Sequence, residues 1–138
     1  MTAPSRAWHP VTPSADGPPP AGAYSPGVRA GGFLFVSGQV PRDPRTGQIV
    51  EGDVAAQTRQ VLENVRSVLA AGGATLDDVV SITAYLADPS LWSAFNEVYG
   101  QVFRPPYPTR TTIGAQLRGF LVEVSAIACL RSGIVGAS

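Results

Sequence analysis

Leu121-Val122-Glu123-Val124-Ser125-Ala126-Ile127-Ala128-Cys129-Leu130 reads as a mostly buried strand near the end of the chain. Side chains two apart on a strand share a face. Glu123 therefore shares its face with Leu121, Ser125 and Ile127. A carboxylate there is costly unless it is paired or lines a cleft where it does chemistry. Just upstream, Pro106-Tyr107-Pro108-Thr109-Arg110-Thr111-Thr112 reads as extended, because each proline biases its predecessor away from helix. A nearby arginine serves either purpose, and Arg110 is the candidate. An edge glutamate facing water is the third reading of the same pattern.

Nearer the N-terminus, Val28-Arg29-Ala30 and Phe33-Leu34-Phe35-Val36-Ser37 flank Gly31-Gly32, a dipeptide suited to a hairpin turn. Asp43 to Gly47 reads as a second turn, followed by a short strand at Gln48-Ile49-Val50. Asp53 is placed to cap a helix running to about Ala71 and closed by Gly72-Gly73. Val54, Val61, Leu62, Val65, Val68 and Leu69 form its apolar stripe. Val79 to Leu86 reads as a strand. Asp88-Pro89 opens a second helix, with Asp88 as cap and the proline in the first turn. Leu91, Trp92, Phe95, Val98, Tyr99, Val102 and Phe103 recur at helical spacing, which assigns these aromatics to the core. Strands around Thr109 to Ala115 and Leu121 to Leu130 complete the set.

Residues 1–22, rich in Pro, Ser, Ala and Gly, read as a leader with little regular structure. Residues 132–138 read as a loose tail, leaving 23–131 as one domain. The order is then β-β-(β)-α-β-α-β-β. This is an α/β (α+β) arrangement in which two helices cover one face of a mixed sheet. Phe33 and Phe35 alternate with Leu34 and Val36, so that strand is apolar on both faces. The face without helices needs a cover, and self-association is the simplest one.

The chain has 138 residues, 44% hydrophobic and 14% charged, enough for a single domain with a sizeable core. A formal net charge of zero leaves no electrostatic footprint for nucleic acid or an anionic membrane. All ten basic residues are arginines. Without lysine, no side chain can form a Schiff base with a carbonyl substrate or with pyridoxal phosphate. The single histidine, His9, falls in the leader, which argues against a histidine-based triad. The single cysteine, Cys129, allows no intrachain disulfide and no cysteine-based metal framework, and reads as a small core residue, with a nucleophile as the lesser reading. Neither a metal nor a cofactor is expected. No apolar run is long enough to span a bilayer, and no signal-peptide core follows Arg6, so the expected compartment is the cytoplasm.

Several segments taken together are similar to one known family. They are Ala23-Tyr24-Ser25-Pro26-Gly27, Phe35-Val36-Ser37-Gly38-Gln39-Val40-Pro41 and Asp43-Pro44-Arg45-Thr46-Gly47. Gln57 to Val65, Phe95-Asn96-Glu97-Val98-Tyr99, Pro108-Thr109-Arg110-Thr111-Thr112 and Leu121 to Ala128 follow in order. In order and spacing, the chain resembles the RidA family, the reactive intermediate (enamine/imine) deaminases, over about residues 23–130.

The resemblance implies a chorismate-mutase-like fold, a homotrimer, and one site in each cleft between neighbouring subunits. It implies cofactor-free hydrolysis of enamines and imines of the 2-aminoacrylate type to 2-oxo acids and ammonia. Arg110 would bind the substrate carboxylate through its planar fork of donors, and Glu123 would orient or deprotonate the attacking water. By the same correspondence Tyr24 borders the pocket, Ser37 and Gly38 line its floor, and Asn96 contributes from the second helix. The chain departs from the family pattern at Ser125, where many relatives carry a second acidic residue, and at Thr112, often cysteine. The connection from Gly114 to Gly119 is shorter than usual, and the leader is longer and richer in proline. Competing expectations are a pathway-specific imine or enamine enzyme, RNA cleavage, and a non-catalytic 2-oxo-acid-binding or chaperone-like trimer.

Overall fold

The computed structural model describes residues 5–13 and 20–131. Strands and helices follow in the order β1 (His9–Val11), β2 (Gly27–Ala30), β3 (Phe33–Gln39), α1 (Val54–Ala71), β4 (Val79–Leu86), α2 (Trp92–Val102), β5 (Thr109–Gly114) and β6 (Val122–Cys129). The six strands form one sheet in the spatial order β1-β2-β3-β6-β4-β5. β4 and β5 run parallel, and the other neighbouring pairs are antiparallel. The mixed sheet with two helices expected from the sequence is therefore present.

Local chemistry accounts for most of these elements. Gly31 and Gly32 take φ of +54° and +86°, a region glycine enters without a Cβ penalty, and they close the β2–β3 hairpin. The Asp53 carboxylate accepts from the Ala56 N–H at 3.0 Å and caps α1. The α1 stripe buries Val61, Leu62, Val65, Val68 and Leu69 almost completely. Each such side chain is worth about 1.5–3 kcal/mol of burial. They pack on Leu34, Val36, Val122, Val124, Ala126 and Ala128 from the central strands, and Phe95 of α2 joins the same core.

Four expectations need correction. Gln48-Ile49-Val50 does not form a strand; Ile49 makes a single bridge to Arg42 beyond the Asp43–Gly47 turn. The extra strand comes instead from the leader, where His9–Val11 pairs antiparallel with β2. Pro10 lacks a donor, and β1 tolerates it because it is an edge strand. Asp88 caps a 3-10 turn over Pro89–Leu91 by accepting from the Ser90 N–H at 2.8 Å, and α2 begins only after that turn. Cys129 is exposed rather than in the core. Residues 1–4 and 14–19 of the leader and the 132–138 tail lie outside the described residues.

Both helices sit on one side of the sheet. On the other side Phe33 and Phe35 are each 42% exposed. Phe35 stands opposite Ile127 and Phe33 opposite Cys129. The exposed Ile113 pairs with Tyr85 further along the same face. Nothing among the described residues covers this face, as the Phe33-Leu34-Phe35-Val36 alternation predicts.

Candidate active site in two halves

Arg110 lies on the edge strand β5, directly opposite Ile82 of β4. Ile82 is buried beneath the helices, so Arg110 shares the helix side of the sheet. Its guanidinium carbon sits 4.6 Å from the Tyr99 ring centroid, 5.5 Å from Trp92 and 5.6 Å from Phe95. These three aromatics occupy positions i, i+3 and i+7 of the last helix and so form one stripe. Their ring faces attract the cation and hold it without consuming its N–H donors. Among the described residues no ion pair involves Arg110, so its fork remains available to an anion. A cleft of about 330 Å³ opens here, lined by Asn96, Tyr99, Gly100, Tyr107, Pro108 and Arg110. Arg110 and Asn96 are therefore brought together.

Glu123 stands opposite Tyr85 of β4. It lies on the uncovered face, with Ser125 and Ile127 along the same strand. The register of β3 against β6 shifts between Val36 and Gln39, and Gly38 falls inside this bulge. A Cβ built on Gly38 would run into Oε2 of Glu123 and lie only 3.0 Å from its Cδ. Glycine at this position leaves the carboxyl group its room. Burial raises the Glu123 carboxyl pKa above its ordinary value of 4.5. Desolvation disfavours the charged form, and none of the ion pairs among the described residues offsets it.

Ser37 is anchored beside Gly38. Its hydroxyl donates to the Ser25 carbonyl at 2.6 Å, and its backbone N–H donates to the Pro26 carbonyl at 2.9 Å. This ties the Tyr24-Ser25-Pro26 segment to the bulge. Tyr24 itself is 50% exposed. The start of β6 is fixed by Gln57 of α1, whose side chain accepts from the Leu121 N–H at 2.8 Å and donates to the Val50 carbonyl at 3.1 Å.

The two halves do not meet within one chain. β4 lies between β5 and β6, and Arg110 pairs with Ile82 while Glu123 pairs with Tyr85. Positions 82 and 85 are an odd number of residues apart, so the two side chains leave opposite faces of the sheet. An Arg110–Glu123 ion pair within the chain, one reading of the sequence, is therefore ruled out. Gly38 belongs with Glu123, and Ser37 sits beside it in sequence; Asn96 belongs with Arg110; no contact among the described residues places the Tyr24 side chain in either half.

Sequence reasoning assigned Trp92 and Tyr99 to the core. Tyr99 is in the core as expected, at 4% exposure, but Trp92 is 45% exposed; both rings also support Arg110. Their spacing with Phe95 was the available signal, but it cannot tell a buried ring from one that faces a cation. Thr112 lies on Arg110's side of β5, opposite Ala84, and its hydroxyl is buried without a partner among the described residues.

Comparison with known proteins bears on these residues. The family model described as Endoribonuclease L-PSP matches residues 14–130. A RutC family protein of Pyrococcus horikoshii is 45% identical over 80% of this chain and 90% of its own length. The human 2-iminobutanoate/2-iminopropanoate deaminase is 35% identical over 86% of this chain and 88% of its own. The crystal structure of E. coli TdcF with bound serine superposes with a TM-score of 0.82 at 34% identity, covering 89% of this chain and 99% of that one. With a family model spanning most of its length, and relatives of matching length and fold, the chain belongs to the RidA family of L-PSP-type proteins.

Proposed function

We propose that this protein hydrolyses small carboxylated enamines and imines of the 2-aminoacrylate type to 2-oxo acids and ammonia, without a cofactor. We place each site between two copies of the chain in a homotrimer. Arg110 and Asn96 come from one copy, and Glu123, Gly38, Ser37 and Tyr24 from the next. The observation that carries this reading is the division of the site residues between opposite faces of one sheet, which a second copy can bring together. The apolar uncovered face with Phe33 and Phe35 supplies the surface such a copy would bury.

The chemistry follows from the groups available. Arg110 binds the substrate carboxylate through two parallel N–H donors. This fixes the adjacent C=N carbon in place. An enamine first takes a proton at its terminal carbon to become the imine, and a carboxyl group with a raised pKa is suited to deliver it. Ionised Glu123 then takes a proton from water as the water oxygen bonds to the imine carbon. That proton passes to the nitrogen to give a carbinolamine; Glu123 then carries the new hydroxyl's proton to the same nitrogen as the C=O bond forms, the C–N bond breaks and ammonia leaves. The deaminase name of the human relative and the serine bound to TdcF, an amino acid with the same carboxylate, support this reading.

RNA cleavage, suggested by the family model's description, is a weaker reading here. The only histidine, His9, sits on β1, at the opposite edge of the sheet from Arg110 on β5. The neutral chain also offers no excess basic charge to hold phosphates. The deciding experiment generates 2-aminoacrylate in situ with a serine dehydratase and follows pyruvate release. Acceleration by the wild type that Arg110→Ala abolishes supports the proposal. No acceleration by folded protein counts against it and turns attention to a binding role.

A further inference from the structure

Tyr99 is only 4% exposed, yet its hydroxyl has no hydrogen-bond partner among the described residues. A buried unpaired hydroxyl is costly, and phenylalanine would fill the same space without that cost. The ring is held in place. It stacks on Phe103 at 4.6 Å and 27° and meets Phe95 at 5.8 Å. Tyr99 also lines the Arg110 cleft, and its ring centroid lies 4.6 Å from the guanidinium carbon. Burial raises the phenol pKa, with Arg110 partly offsetting this and Tyr107 adding to it, so the group is a protonated donor at neutral pH. Arg110 and Tyr107 both line the cleft.

We propose that the Tyr99 hydroxyl is a further substrate-binding group, donating a hydrogen bond to the carboxylate held by Arg110. The guanidinium lies over the ring. One anion in the cleft that both residues line would receive two donors from the fork and a third from Tyr99. The inference rests on the proposed carboxylate site.

The test titrates 2-oxobutanoate, a product-class 2-oxo acid, into wild type, Tyr99→Phe and Arg110→Ala by calorimetry, with thermal midpoints measured on the same samples. Tyr99→Phe is expected to weaken binding about tenfold, or about 1.4 kcal/mol, and to leave the midpoint equal to or above that of the wild type. With 2-aminoacrylate its KM should rise more than its kcat falls. Wild-type affinity in Tyr99→Phe overturns the assignment of Tyr99 alone. So does a midpoint several degrees lower, which would mean that the hydroxyl has a structural partner. Failure of the wild type to bind the oxo acid at all removes the carboxylate site and this inference together.

Discussion

Gly38→Ala isolates the position of the Glu123 carboxyl group from its chemistry. The added methyl would run into Oε2 of Glu123 and lie 3.0 Å from Cδ, where an ordinary C···O contact needs roughly 3.3 Å. The carboxyl group must therefore retreat by about 1 Å. The atoms that move are the far end of a flexible side chain, so the fold should lose less than about 1 kcal/mol. A displacement of that size in a catalytic group costs about 100-fold in rate, equivalent to about 2.7 kcal/mol of barrier. The assay couples a serine dehydratase, as source of 2-aminoacrylate, to detection of pyruvate, with chemical denaturation run in parallel. The expected result is a kcat/KM about 100-fold lower in a protein of near-normal stability. Activity within threefold of wild type would refute the reasoning, because the carboxyl position would then not matter.

Arg110→Lys keeps the charge but loses the planar fork and its seating on Trp92, Phe95 and Tyr99, so kcat/KM should fall by about 10-fold to 100-fold; equal kinetics would argue against bidentate binding. Because burial raises the Glu123 pKa above its ordinary value of 4.5, the acid limb of the kcat/KM profile should be displaced upward from that value, and Glu123→Gln should lower kcat and erase that limb. The stability effect has the matching sign. A carboxyl group with a raised folded-state pKa favours the fold below its unfolded pKa and loses that contribution as pH rises through the folded value, so Glu123→Gln should flatten this slope in denaturation measured across the acid range. Phe35→Asp places a charge on the uncovered face and should convert the proposed trimer to monomers in sedimentation, with loss of turnover; an intact trimer would remove this face from the interface. Gln57→Leu strands the Val50 carbonyl and the Leu121 N–H and should cost about 2–4 kcal/mol in chemical denaturation.

The parts of the fold legible in the sequence are those written in local pattern. Gly31-Gly32 marks the hairpin, the Val54–Leu69 stripe marks α1, and the alternation of Phe33 and Phe35 with Leu34 and Val36 marks an uncovered face. His9–Val11 carries no such pattern. Three residues with a central proline show no periodicity, and they pair only because β2 offers a free edge. Ile49 fails as a strand residue because only Arg42 faces it across the turn. Of the candidate site, Arg110 and Glu123 stand out from local pattern and Tyr24, Ser37, Gly38 and Asn96 only through the resemblance, and neither tells which face each occupies. That depends on β4 being inserted between β5 and β6 and on the parity of two registers, both long-range facts. Helical spacing likewise showed that Tyr99 is buried but not that its hydroxyl lacks a partner.

The claim that each site is shared between two copies of the chain has a direct test in subunit exchange. Arg110→Ala and Glu123→Gln proteins, each inactive alone, would be unfolded, mixed in equal amounts and refolded together. If Arg110 of one copy faces Glu123 of the next, roughly a quarter of the sites formed by random assembly carry both native residues, and that share of wild-type activity should return. A mixture as inactive as either parent, from protein that has reassembled, would contradict the account.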